Sequence, residues 1–497
     1  MFKNFPGYKL LEKIQKKKSH NRERKLPLNA IKLIFIIAIT SVIALLPTES
    51  FGIEGLTVVH QRIISLFVFA ALMWLTEAMP SWVTSMIVVT IMLLTVSTSA
   101  FNFLRPEDGA GLIPFKSIMA CFANPTIMLF IGGFVLAIGL TKVKLDVALA
   151  RVLLKPFGTR SEVVLLGFIL VTAIFSAFVS NTATAAMMLA FLTPVLKSLP
   201  ADGKGRIALA LAIPVGANLG GMITPIGTPP NMIALDYLSS QGMGISFVDW
   251  TIKMAPFVIL LLLLSWLLLR ILFPFKQKHI KIEIEGDIKW NRHTWSVVAA
   301  FAITIFMWMF GTDLWGVDTN VVAMIPIAIF CATGILTRRD LEEINWSVLW
   351  MVAGGFALGV ALNYKDASSV SLSSLIVNTV PFDNFSPLVV MILAGVICFG
   401  FSNFISHSAA TSLLVPVLGV VAGGLGSSLD SFGGPQAMLV GIAIASSVSM
   451  ILPISTPPNA IAHSTGFIEQ KDMMKVGIIV GIMGLILGYT MLIFIGF

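Results

Sequence analysis

The strongest constraint on this chain is a run of 46 residues, Asn384 to Leu429, without one Asp, Glu, Lys or Arg. A second run, Val163 to Leu196, is 34 residues long and equally uncharged. A membrane-spanning helix needs about 20 apolar residues. The shorter run is too long for one span and too short for two with a turn. Both runs read as re-entrant helical hairpins that enter and leave the bilayer on one side. Their midpoints fall at Val179–Ser180 and Ser406–His407, so polar residues stand at the tips, about halfway through the membrane. Non-helical backbone at that depth survives only where protein or water satisfies it, which makes each tip a candidate site.

Composition supports a membrane setting throughout. Of the 497 residues, 57% are hydrophobic and 12% charged, about half the charge of a soluble chain. Soluble enzymes, disulfide scaffolds and disordered chains are excluded. Apolar runs near 29–47, 61–79, 81–100, 119–141, 207–235, 254–275, 295–312, 319–336, 345–364, 435–465 and 476–497 give the remaining spans. The expected fold class is an all-α polytopic membrane protein, with eleven transmembrane helices plus two re-entrant hairpins. The net charge of +8 sits mostly in residues 1–28, which hold nine Lys/Arg against Glu12 and Glu23. Such a tail marks the cytoplasmic side, so the bilayer and not nucleic acid is the expected partner. Alternation then puts Lys142, Lys144, Arg151, Lys155, Arg160, Lys276, Lys278, Lys281, Lys289, Arg292, Arg338, Arg339, Lys471 and Lys475 inside. That holds only if each hairpin returns to its own side. The protein is expected in the cell membrane, multi-pass, with its N-terminus cytoplasmic and its C-terminus outside. Cys121, Cys331 and Cys398 are far apart in apolar sequence, without metal or disulfide spacing, and are expected to be buried.

An internal repeat organises the chain. Gly132-Gly133-Phe134 recurs as Gly354-Gly355-Phe356, and Ser176-x-x-x-Ser180-Asn181-Thr182 as Ser402-x-x-x-Ser406-His407-Ser408. Gly227-Thr228-Pro229-Pro230-Asn231 recurs as Ser455-Thr456-Pro457-Pro458-Asn459, 228 positions on. The expected organisation is a basic tail (1–28), an extra helix (29–47), repeat one (61–275), a cytoplasmic linker (276–293) and repeat two (294–497). Repeat one holds the hairpin 163–196 and a broken helix at 207–235; repeat two holds the hairpin 384–429 and a broken helix at 435–465. Each repeat has five spans and a hairpin, so the two are inverted. Inverted repeats with interrupted helices mark secondary transporters, whose sites lie where the breaks meet.

The chemistry available at the breaks is binding, not catalysis. Ser176, Ser180, Asn181, Thr182, Gly227, Thr228 and Asn231 offer hydroxyls, amides and loop carbonyls. These are hard oxygen ligands for Na⁺ or for the polar groups of a ligand. Thr-Pro-Pro is expected to break the helix, freeing carbonyls for a cation and helix N–H groups for a carboxylate. No acidic orienter accompanies Ser406 and His407 in their hairpin, so an intramembrane enzyme is only a remote alternative.

At these motifs the chain resembles the divalent anion–sodium symporter family of dicarboxylate, citrate and sulfate transporters. Ser180-Asn181-Thr182, the paired Thr-Pro-Pro-Asn motifs and Trp74-Leu75-Thr76-Glu77-Ala78-Met79-Pro80 carry the likeness. The resemblance implies a homodimer held by a scaffold domain and an elevator-like transport domain. It implies a possible Na⁺ site at Ser176, Ser180, Asn181 and Gly227, and a second at Ser402, Ser406, position 407 and Ser455. It implies that substrate meets Asn181, Thr182, Thr228, Pro229, Ser408, Thr456 and Pro457. No cofactor other than Na⁺ is implied.

His407 departs from that pattern, which has Asn there. Imidazole nitrogen suits Na⁺ poorly, and a protonated ring would be a fixed cation for a dianion. If the charge stays with the protein, the empty carrier crosses at a cost and loaded crossing is favoured. The expected function is exchange of dicarboxylates of the 2-oxoglutarate, malate and succinate class, with His407 in the substrate site and site two degenerate. Na⁺-coupled symport of dicarboxylate or citrate is the alternative.

Overall fold

The computed structural model describes residues 26–107, 109–200, 203–280, 290–366 and 369–496. Most of the basic tail, and Lys281 and Lys289 of the linker, lie outside these residues. The first half contains α1 (Leu26–Leu45), α2 (Val58–Thr76), α3 (Ser81–Thr95), α4 (Pro125–Lys142) and the short α5 (Leu145–Leu154). Then come α6 (Ser161–Phe178), α7 (Asn181–Ser198), α8 (Lys204–Gly220), α9 (Pro229–Ser240) and α10 (Phe247–Leu272). The second half contains α11 (Arg292–Trp315), α12 (Thr319–Ala332), α13 (Trp346–Asn363) and α14 (Leu372–Thr379). It closes with α15 (Pro387–Phe404), α16 (His407–Leu425), α17 (Gly434–Ser447), α18 (Pro457–Ser464) and α19 (Gln470–Phe494).

Both long uncharged runs are helix pairs. α6 and α7 part at Val179–Ser180, and α15 and α16 part at Ile405–Ser406. Each arm of the first pair has 18 residues, about 27 Å at 1.5 Å per residue. Arms of that length reach well past mid-bilayer, so short arms alone do not set the depth of a tip. By length and composition, nine helices among the described residues can cross a membrane, α6, α15 and α16 among them.

The helices sort into two groups that meet where α13 packs on α16. α6 to α10 pack with α15 to α19, while α1 to α4 pack with α11 to α13. Within the first bundle the broken helices exchange their second halves. α9 packs on α16 and α17 of the other repeat, and α18 packs on α7 and α8. Repeat-related glycines close the second bundle. A Cβ on Gly132 would lie 2.7 Å from that of Ala323 in α12, and one on Gly354 would lie 2.6 Å from Ser85 Oγ in α3. Small residues at such crossings let membrane helices approach backbone to backbone. The cysteine expectation needs one correction: Cys121 and Cys398 are buried but Cys331 is exposed. It sits on the outer side of α12, where a small apolar thiol can face lipid without cost.

Candidate anion and cation site

The first tip gathers oxygens. Ser176, in the last turn of α6, is fully buried. Its Oγ lies 2.6 Å from Asn181 Oδ1 and 2.7 Å from the Ala217 carbonyl oxygen of α8. A hydroxyl has one proton, and both neighbours are acceptors. The single proton serves one of these two oxygens, and the cluster as a whole is made of hard oxygen ligands. The Asn181 amide rests on Gly221, where a Cβ would stand 2.7 Å from Oδ1. Gly227 lies against the same glycine: a Cβ there would be 2.9 Å from Gly221 Cα. The Asn231 amide nitrogen donates to the Gly221 and Thr224 carbonyls at 3.1 and 2.9 Å and so holds the loop's shape. Asn231 Oδ1 is buried without a hydrogen-bond partner. Thr224 Oγ1 donates to the Ala177 carbonyl and ties the loop to the tip. Neither Ser180 nor Thr228 caps its own helix with its side chain.

At the second tip the motif side chains find partners, while Ser412 Oγ and Ser447 Oγ nearby do not. Ser406 Oγ accepts from Ala409 N–H at 3.3 Å, and Thr456 Oγ1 accepts from Asn459 N–H at 3.2 Å. Ser455 Oγ donates to the Leu452 carbonyl at 2.7 Å, and Ser402 Oγ to Ser446 Oγ at 3.3 Å. His407 Nε2 lies 2.6 Å from the Ser449 carbonyl oxygen. A carbonyl only accepts, so Nε2 carries a proton there. Ser449 stands where the first repeat has Gly221, 228 positions earlier. The Asn459 amide nitrogen donates to Met450 and Leu452 carbonyls at 2.8 and 3.1 Å, as Asn231 does in its own loop.

The proline motifs do a different job from the expected one. Pro229–Pro230 and Pro457–Pro458 occupy the first two positions of α9 and α18, and the breaks lie ahead of them. Proline suits a helix start because the N–H it lacks would be unpaired there anyway. It follows that these N-termini offer few N–H groups to an anion. The hairpin tips offer more: α7 opens with Asn181, Thr182 and Ala183, and α16 with His407 and Ser408, all bearing N–H groups.

The two breaks touch. Asn218 Nδ2 donates to Thr456 Oγ1 at 3.2 Å and to Asn459 Oδ1 at 3.1 Å, which joins α8 to α18. Ser180, Asn181, Thr182, Pro229, Ser406, His407 and Ser408 are half-buried; Gly227, Thr228, Ser455 and Thr456 are buried; Pro457 is exposed. Sequence reasoning missed Ala217, Asn218, Gly221, Asn403, Ser446 and Ser449. Asn403 Oδ1 accepts from Ile451 N–H at 2.9 Å and ties the second tip to its break. The available signal was polarity just ahead of each break: Asn218 in an otherwise apolar stretch, and Ser446, Ser447 and Ser449 in the other.

Residues 28–496 match the sequence model of the sodium:sulfate symporter transmembrane region. A protein of Haemophilus influenzae named only as an uncharacterized transporter is 30% identical over 479 residues, 92% of this chain and 96% of its own length. The sodium-dependent dicarboxylate transporter SdcS of Staphylococcus saprophyticus is 28% identical over 462 residues, 85% of this chain and 84% of its own. A crystal structure of the Alcanivorax borkumensis YdaH transporter, described as having an unusual topology, aligns with a TM-score of 0.52 at 13% identity. That alignment covers 86% of this chain and 97% of YdaH, and it speaks to fold alone.

Proposed function

The chain belongs to the sodium:sulfate symporter family, and on that premise we propose that it exchanges small dicarboxylates across the cell membrane. It is a multi-pass transporter and not an enzyme. The substrates are of the 2-oxoglutarate, malate and succinate class. The hairpins and broken helices carry them as one elevator-like bundle, and the helices around α3 and α13 serve as scaffold in a homodimer. The N-terminus is cytoplasmic and the C-terminus outside.

The observation behind exchange is the 2.6 Å contact of His407 Nε2 with the Ser449 carbonyl. That bond fixes the ring at the tip and leaves Nδ1 to meet a carboxylate once protonated. A dianion in low dielectric needs compensating charge. Protonated His407 supplies it from the protein, so the empty bundle retains charge at depth and returns readily only when loaded. Asn181, Thr182 and Ser408 hold the carboxylates at the tips, with Thr228 and Thr456 at the proline helices.

The test is counterflow in reconstituted vesicles with a panel of dicarboxylates, citrate, sulfate and phosphate, with and without Na⁺. Exchange predicts labelled uptake only with internal anion, and uptake that survives without a sodium gradient. Strong Na⁺-driven uptake into empty vesicles would contradict it. That outcome would favour the second reading, Na⁺-coupled symport. Two observations support symport: the oxygen cluster of Ser176, Asn181 and Ala217, and the sodium dependence in the name of the SdcS relative.

A further inference from the structure

We propose that Asn218 is a positioning residue that fixes the Thr456 hydroxyl as a hydrogen-bond donor to the transported anion. The inference rests on the transport reading above. Asn218 is 2% exposed and directly follows Ala217, whose carbonyl belongs to the first-repeat oxygen cluster. Its amide nitrogen crosses to the other repeat and donates to Thr456 Oγ1 at 3.2 Å. The same Oγ1 accepts from Asn459 N–H, also at 3.2 Å. A hydroxyl oxygen has two lone pairs and one proton. With both lone pairs held by N–H donors, Thr456 has only its proton to offer a ligand. A carboxylate or sulfate oxygen accepts that proton, and a cation cannot. The hydroxyl is locked to one polarity, on the helix that opens with Pro457.

The first repeat lacks this lock. Thr228, the counterpart of Thr456, takes no N–H from its own helix with its side chain. The counterpart of Asn218 is Ser446, 228 positions on. Its shorter side chain donates instead to the His407 carbonyl at 2.9 Å. Asn231, the counterpart of Asn459, accordingly has an Oδ1 without a partner, where Asn459 Oδ1 receives Asn218 at 3.1 Å. The polarity lock is one-sided, and Asn218 supplies one of its two N–H bonds. Asn218 also joins a place suited to a cation to a place suited to an anion. A cation drawing on the Ala217 carbonyl steadies the peptide that carries the Asn218 side chain.

The test is a double-mutant cycle in vesicles with full-length protein, using succinate and sulfate as probes. Asn218→Ser is compared with wild type, and again in a Thr456→Val background that has no hydroxyl to orient. The expected result is a KM raised roughly tenfold with Vmax per folded transporter unchanged, as for loss of a hydrogen bond to a charged ligand. In the Thr456→Val background the same change leaves KM within about twofold, because coupled pairs are not additive. The isosteric Asn218→Asp, whose carboxylate draws the Thr456 proton inward, raises KM further and serves if the serine variant does not fold. Equal KM shifts in both backgrounds, or a fall in Vmax at constant KM, would overturn the assignment. A wild type that moves neither probe removes the transport reading and this inference together. A wild type that moves either probe, with an additive cycle, removes the inference alone.

Discussion

The two repeats present the same motif set and complete it in opposite ways. In the first, Ser176 Oγ faces two acceptor oxygens, Ser180 and Thr228 leave their helices uncapped, and Asn231 Oδ1 has no partner. In the second, Ser406 and Thr456 cap their helices, Ser455 closes its own turn, and the His407 ring bonds the Ser449 carbonyl. On the proposed reading, the first arrangement offers its oxygens to a cation. The second supplies its own N–H groups where a cation would otherwise sit. A degenerate motif is thus not simply a lost site: on the proposed reading, a ring N–H meets the loop carbonyl that a cation would otherwise meet.

Exchanging residues between the repeats tests that contrast. The largest effect is expected at the loop glycine. Gly227→Ser, which copies Ser455, drives a Cβ into Gly221, and initial uptake per folded protein falls by about 100-fold as overpacking displaces the loop. The reciprocal Ser455→Gly keeps uptake within about threefold, and comparable losses from both would erase the contrast. Next comes the ring. His407→Asn, which copies Asn181, lowers sodium-free exchange by roughly thirtyfold through loss of the fixed charge. Unchanged sodium-free exchange would count against the charge role. Ser176→Ala then raises half-saturating Na⁺ about tenfold, while Ser402→Ala shifts it by less than about twofold. Equal shifts in that titration would mean both repeats hold a cation. The smallest effect is on stability. Ser406→Ala removes a helix cap and costs about 1 kcal/mol, read as an earlier thermal unfolding in detergent without substrate. Ser180→Ala, which caps nothing, leaves unfolding in place.

Much of this frame was legible because membranes penalise unpaired backbone and charge so strongly. The absence of charge over 384–429 alone implied a helix pair, and the chain turns at Ile405–Ser406, one residue from the run's midpoint. The repeat offset paired Gly132 with Gly354, and both bring helices into close contact. What stayed hidden depends on which atoms meet across the fold. Asn218 carries no motif of its own, and only the packing of α8 on α18 reveals its bond to Thr456. The Thr-Pro-Pro motifs were legible as sites of interruption but not as helix starts, since proline is compatible with both. The exposure of Cys331 followed from helix rotation, which an apolar run leaves undefined.

The most direct measurement is the sodium dependence of succinate transport by the wild-type protein in vesicles, at saturating anion. If only the first repeat holds a cation and the protomers of the proposed dimer work independently, the Hill slope is no greater than about one, since a slope cannot exceed the number of coupled sites. A slope near two would mean more than one coupled cation per transport cycle, and would contradict the contrast between the repeats.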